Sequence, residues 1–204
     1  MDKTKVFVDL DDTIFDAQEF KRAIFAVFTH CCPNMTIDQV AQKYNEHRQN
    51  GRNFDPKEFA GEFEEEGADP DEIVREINEV VRDSGQFLFT ERLNHLVKSF
   101  DPDKYEFILF TKGVRSIQEG KVKACHLESV FDQIIYVEEG KAEALNEAVK
   151  SGERFVLFDD RDDVLEEIGS EHGAGELWTF KEGKEPAIYM ADQDPSLREL
   201  PPQR

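Results

Sequence analysis

Asp9 and Asp11 stand two residues apart where an apolar run ends, in Val6-Phe7-Val8-Asp9-Leu10-Asp11-Asp12-Thr13. On extended backbone, residues two apart project to the same side, so both carboxylates can face one substrate, one attacking and the other moving protons. Thr13 would fix the turn that follows. Three further polar elements each come after an apolar run of their own. Thr111 offers a hydroxyl that, with the backbone N–H groups of Lys112 and Gly113, suits phosphate oxygens, and the glycine permits close approach. Lys141, in Glu138-Glu139-Gly140-Lys141, opens a helical pattern. Its ammonium would neutralise both a phosphate and the Asp9 carboxylate, which otherwise repel each other. Asp159, Asp160, Asp162 and Asp163 form the last group.

Acidic residues gathered beside Asp9 and Asp11 repel one another unless a cation is present. Every candidate donor is an oxygen, so the expected ion is hard: Mg2+, held by one or two carboxylates, waters and substrate phosphate. Asp159 and Asp163 are the candidate ligands of the last group, and Asp160 or Asp162 would cap the helix starting near Val164. Lys123 competes with Lys141 for the lysine role but lies inside a helical pattern.

These groups must be delivered by a sheet. Short buried-strand patterns cover Lys5 to Leu10, Tyr105 to Phe110, Gln133 to Val137, Phe155 to Phe158 and Glu176 to Phe180. Helical patterns separate the later ones, at Ile117 to Leu127, Ala142 to Val149 and Val164 to Ile168. Alternating strands and helices predict an α/β fold, a doubly wound, Rossmann-like parallel sheet with ligands at the carboxyl ends of its strands. From Ala17 to Gly85 no strand pattern appears. Phe20, Ile24, Val27, Phe28 and Cys31 fall at helical spacing, as do Ile37, Val40 and Tyr44, with Thr36 and Gln39 placed as a capping box. Asp55-Pro56 and Asp69-Pro70 mark two more helix starts, and a helix from Thr90 to Phe100 returns to the sheet. The expected division is residues 1–16 and 86–204 as an α/β catalytic core, with 17–85 as a helical cap. The tail after Phe180, with Pro186, Pro195, Pro201 and Pro202, is expected to be irregular.

The chain has 204 residues, with 25 Lys plus Arg against 45 Asp plus Glu, a formal charge of -20. That balance disfavours nucleic acid and anionic membranes as partners, so phosphate must be met by local cations. Cys31, Cys32 and Cys125 suit neither a disulfide framework nor a spaced zinc site, and a reducing, cytoplasmic setting is expected. The opening MDKTKVFVDL enters a strand pattern directly, and no apolar run is long enough to span a membrane. His30 beside the adjacent cysteines is discounted as a metal site. His47, Arg48 and Arg52 are weak candidates for substrate contacts, since charged residues usually form the wet face of a helix.

The chain resembles the haloacid dehalogenase superfamily, in its phosphatase form with a helical cap inserted after the first motif. Asp9, Asp11 and Thr13 match the first motif, Thr111 the second and Lys141 the third. Asp159 and Asp163 match the fourth, where Phe158 replaces the usual glycine; whether Asp159 or Asp160 faces the metal stays open. The resemblance implies that Asp9 attacks phosphorus to form an aspartyl-phosphate. It implies that Asp11 protonates the leaving oxygen and then deprotonates water, and that the Asp9 side chain, the Asp11 carbonyl and fourth-motif carboxylates bind the metal. The expected substrate is a small phosphorylated metabolite, selected by the cap.

A phosphomutase of the same superfamily needs both aspartates too and fits the same residues. A dehalogenase needs neither Asp11 nor a metal. A signalling receiver module would carry its acceptor after the middle strand, where this chain has Tyr136-Val137-Glu138. A non-catalytic phosphate-binding or interaction protein would be expected to lose Asp9 or Asp11.

Overall fold

The structure, a computed structural model, describes residues 3–49, 54–138, 140–171, 175–179 and 187–188. Its elements run β1 (Thr4–Val8), α1 (Ala17–Cys31), α2 (Ile37–Gln49), α3 (Pro56–Gly61), α4 (Pro70–Arg82), α5 (Thr90–Ser99), β2 (Tyr105–Lys112), α6 (Arg115–Ala124), β3 (Gln133–Val137), α7 (Lys141–Ala148), β4 (Phe155–Phe158), α8 (Asp162–Glu171), β5 (Gly175–Thr179) and β6 (Ala187–Ile188). Two compact units result. One comprises Met1–Phe15, Phe89–Lys112 and Leu127–Arg204, the other Asp16–Leu88 and Gly113–His126.

The first unit is an α/β fold around a sheet of order β3-β2-β1-β4-β5-β6. Its first five strands are parallel, and β6 joins antiparallel to β5. The chain leaves β1 in both directions along the sheet, so β1 and β4 flank the point where the strand order reverses, the place where such sheets bind ligands. Burial on both faces explains why the strands read as continuous apolar runs. Phe7, Ile108, Phe110, Phe155, Leu157 and Leu177 share one face and pack with Ala142 and Leu145 of α7 and Val164, Leu165 and Ile168 of α8. On the other face Phe100, at the end of α5, meets Phe107 at 5.6 Å and Phe158 at 6.0 Å between ring centroids. Each such fully buried Phe contributes roughly 1.5–3 kcal/mol by leaving water. Phe158, where a glycine was expected from the resemblance, is fully buried and stacks on Trp178 at 5.9 Å.

The second unit is helical, and its helix starts follow local chemistry. The Asp16, Asp55 and Asp69 side chains accept hydrogen bonds from the first-turn amides of α1, α3 and α4, and Thr36 and Gln39 exchange the reciprocal bonds of a capping box. Phe28, Phe59 and Phe63 form its aromatic centre, with ring centroids 4.6–5.2 Å apart. α6, counted with the core from sequence, falls in this unit. Gly120 is the reason: a Cβ there would lie 2.2 Å from Val81 Cγ1 of α4, so only glycine allows this approach.

Beyond the five expected strands the structure adds β6, inside the predicted irregular tail; the rest of that tail lies outside the described residues, as do Arg52 and Phe180. β2 runs through Lys112, so Thr111 lies within the strand rather than after it. Among the described residues all three cysteines are free thiols, and no helix is long and apolar enough to cross a membrane.

Candidate active site

Strand register builds the site. Val8 pairs with Phe158, so the residues after β1 and β4, Asp9 and Asp159, emerge side by side. Their backbones stay in the sheet: the Asp9 N–H donates to the Phe158 carbonyl at 2.9 Å, and the Asp159 N–H to the Trp178 carbonyl at 3.1 Å. Asp9 keeps the phase of Phe7 and Phe110, toward the face covered by α7, whose first residue is Lys141.

Lys141 is the charge centre. Its Nζ donates to Asp9 Oδ1 at 2.5 Å and to Asp159 Oδ2 at 2.7 Å, and it lies 5.7 Å from the Phe110 ring centroid. All three charged groups are buried. The second Asp159 oxygen accepts from the Arg161 N–H at 3.0 Å. Lys123, the rival lysine, is exposed on α6 in the other unit.

Asp160 joins them. Carboxylate oxygens of Asp9, Asp159 and Asp160 all lie within 4.8 Å of one another. Burial is the main influence on Asp9 and pushes its carboxyl up to about 8, with Lys141 opposing and Asp159 adding to the rise. Burial also raises Asp160 to about 6, helped by the negative charges of Asp159 and Asp12. Lys141 moves the other way in consequence: the two carboxylates outweigh its own desolvation and hold its ammonium above the ordinary lysine value. With all groups ionised, three carboxylates and one ammonium leave a net charge of -2. A divalent cation would balance that charge, and an all-oxygen donor set suits a hard ion. The raised carboxyl values mark charge that the protein alone does not compensate.

Asp163 is not brought into this group. It sits exposed in the first turn of α8, where Arg161 Nε donates to its Oδ1 at 3.0 Å and Nη2 pairs with its Oδ2; the guanidinium holds the carboxyl below its usual range. Among the described residues Asp159 is therefore gathered with Asp160 and not with Asp163, the partner expected from the sequence. Asp11 is half-buried in the turn after β1, with its backbone bridged to Phe15, and its side chain is not among the three gathered carboxylates.

Thr111 is buried, and its Oγ1 has no hydrogen-bond partner among the described residues. Lys112 is exposed at the end of β2. Gly113 has φ 154°, a backbone conformation that favours glycine, and a Cβ on it would meet Gln118 Nε2 at 2.8 Å. The Thr13 hydroxyl also lacks a partner among the described residues, so backbone bonds rather than its side chain close the turn. His47 belongs to the interior of the helical unit, buried against Phe59 and 2.7 Å from Glu62 Oε1. His30 is exposed.

A family profile described as haloacid dehalogenase-like hydrolase matches residues 6–167 of the chain. The chain belongs to that family. Solved structures with the same fold include a haloacid dehalogenase-like hydrolase from Xanthomonas campestris, 20% identical with a TM-score of 0.63, the match covering 98% of this chain and 86% of that one. YfnB from Bacillus subtilis, described as a HAD-hydrolase bound to magnesium, is 15% identical with a TM-score of 0.61, over 98% of this chain and 93% of its own. L-2-haloacid dehalogenase from Xanthobacter autotrophicus, with chloropropionic acid covalently bound, is 13% identical with a TM-score of 0.58, over 86% and 76%. At these identities the structures establish the fold alone. No curated protein matches this hydrolase.

Two features of the site carried no signal in the sequence read as separate motifs: the Arg161–Asp163 pair and the contact of Arg92 with the Asp12 and Thr13 carbonyls. Arg92 lies 79 residues from Thr13 in the chain and looked like any basic residue on a helix.

Proposed function

We propose that this hydrolase is a magnesium-dependent phosphomonoesterase, acting on a small phosphorylated metabolite through an aspartyl-phosphate on Asp9. The observation that carries the reading is the group of three carboxylates, two of them buried and bonded to one buried lysine and the third, Asp160, half-buried beside them, with a net charge of -2 when ionised. A carboxylate displacing halide from carbon gains nothing from two further carboxylates at its side, whereas attack on a phosphate dianion needs a divalent cation and a fixed ammonium. The unpartnered Thr111 hydroxyl supports it as a waiting donor for a phosphoryl oxygen.

Asp9, Asp159 and Asp160 are the residues that would hold magnesium, with the Asp11 carbonyl as the resemblance implies. Bound there, the ion would polarise a phosphoryl oxygen and screen it from the nucleophile. Asp9 attacks phosphorus through a carboxylate oxygen while the Lys141 ammonium, bonded to Oδ1, neutralises the carboxylate's charge. Thr111 and the Lys112 amide hold phosphoryl oxygens. Asp11 gives a proton to the leaving alkoxide, then takes one from the water that cleaves the acyl phosphate. Choice among esters is assigned to the helical unit, as the resemblance implies, and the reading requires no nucleic-acid or membrane partner.

Phosphate release from a panel of small phosphomonoesters is the test, run with magnesium and with EDTA, beside Asp9→Asn protein. The expected result is magnesium-dependent turnover that the variant lacks. Halide release from a 2-haloacid without ester turnover would overturn the reading in favour of dehalogenation. Phosphoryl transfer between positions of one sugar without free phosphate would favour a mutase.

A further inference from the structure

The turn that carries Asp11 is held by α5, and we infer that Arg92 is a positioning residue for the proton-transfer step of this hydrolase. The inference rests on the phosphatase reading above. Asp12 has φ 57°, the left-handed region, whose energetic cost to an L-residue the surroundings must offset. Inside the turn, the Asp12 N–H donates to the Phe15 carbonyl at 2.8 Å, and the Ile14 and Phe15 N–H groups both donate to Leu10 at 3.0 Å. The carbonyls of Asp12, Thr13 and Ile14 accept from outside the turn. All three are met from one short stretch of chain. Arg92 Nη1 donates to Thr13 O at 2.6 Å and to Asp12 O at 3.3 Å, and the Phe89 N–H donates to Ile14 O at 2.9 Å.

The clamp is itself fixed. Arg92 lies on the first turn of α5, and its guanidinium sits 4.6 Å from the Phe89 ring centroid, a cation–π contact that restrains the side chain. Both bonds leave from the one nitrogen Nη1, so a single charged donor bridges the two carbonyls, and the shorter lysine side chain would have to reach the same point with its ammonium. Arg92 therefore ties α5 to the residues immediately after the proposed acid. Its described contacts are with the Asp12 and Thr13 carbonyls and the Phe89 ring, and its effect on catalysis runs through where Asp11 is held.

This assignment makes a specific kinetic demand. An alkyl leaving group needs its proton in the transition state, whereas p-nitrophenolate leaves with little help. Misplacing the acid must therefore slow the first kind of ester more than the second. The test compares wild-type, Arg92→Met and Arg92→Lys proteins, with magnesium, on p-nitrophenyl phosphate and on whichever alkyl phosphomonoester the wild-type protein turns over fastest. Amide exchange at Asp12, Ile14 and Phe15 is followed in parallel. Arg92→Met should lose about 10-fold or more in kcat/KM on the alkyl ester, a modest part of a general acid's usual effect; kcat/KM reports leaving-group departure and not cleavage of the shared aspartyl-phosphate. Its kcat/KM on p-nitrophenyl phosphate should fall less than about 3-fold, and the three amides should exchange faster. Arg92→Lys should fall between, and it carries the same comparison if Arg92→Met does not fold. Equal losses on both esters, or no loss, with wild-type turnover intact, would overturn the role of Arg92 alone. A wild-type protein that hydrolyses neither ester would overturn the phosphatase reading and the acid-positioning role with it.

Discussion

Replacing Lys141 by methionine separates the electrostatic account of the site from a merely structural one. The change keeps an unbranched apolar stem over Phe110 and deletes the ammonium that Asp9 and Asp159 share at 2.5 and 2.7 Å. Two buried carboxylates within 4.8 Å of each other would then repel by ~3.5 kcal/mol at an effective dielectric of 20. Adding the two lost charge-assisted bonds, and allowing for protonation as an escape, the expected loss is about 3–5 kcal/mol, the range for breaking a buried ion pair from one side. The loss depends on pH with a definite sign. In the metal-free wild-type protein the folded-state value of Asp9 is raised from 3.8 to about 8, so the folded protein holds a proton that the unfolded chain releases. That contribution to stability is complete below about pH 4 and disappears as pH rises through 8. Without Lys141, which lowers Asp9, the folded-state value climbs further; the two proteins therefore differ least at pH 5 and most at pH 9. Trp178 is the single tryptophan and is buried in β5, so its fluorescence during urea unfolding reports the sheet-bearing unit. With EDTA at pH 9 the midpoint should drop by ~1.5 M, taking a slope of ~2–3 kcal/mol/M. Adding Asp159→Asn should recover more than half of the loss, because the repulsion is then gone. A Lys141→Met midpoint within about 0.2 M of wild type at pH 9, or a loss independent of pH, would refute the charge-centre account.

Three further outcomes follow from particular contacts. Asp160→Asn should raise the magnesium concentration needed for half-maximal activity by about 10-fold or more, the scale on which metal sites respond to lost partners. Asp163→Asn should leave the metal requirement within about 3-fold; the reverse order in a magnesium titration of activity would restore Asp163 as the ligand. Gly120→Ala should destabilise the helical unit by about 1–3 kcal/mol through overpacking against Val81. Adding Val81→Ala should return part of that loss in a thermal melt followed by helical circular dichroism.

Much of the site was legible because its signals are local. A buried strand must be a short apolar run, and chemistry at its carboxyl end must follow that run directly. Asp9, Thr111, Lys141 and Asp159 could therefore be read as members of one series. Within the acidic run the choice was not local. The Asp159 N–H bonds to Trp178, and Asp159 Oδ1 accepts from Arg161. The chain turns into α8 at once, so Asp160 stays with Asp9 while Asp163 is carried out to Arg161. Spacing alone treats those carboxylates as equivalent. Phe158 looked like a departure from pattern, yet between Phe100 and Trp178 its size fills the sheet's second face.

The sequence by itself determined the alternation of strands and helices, the capped helices of the insert and the residue types of the candidate site, since periodicity, caps and residue types are properties of neighbouring positions. Only the tertiary structure decided that Asp160 completes the carboxylate group, that α6 belongs with the helical unit, and that Arg92 holds the Asp11 turn. Each of those depends on a contact between segments far apart in the chain, where strand register or the space beside a glycine makes the choice.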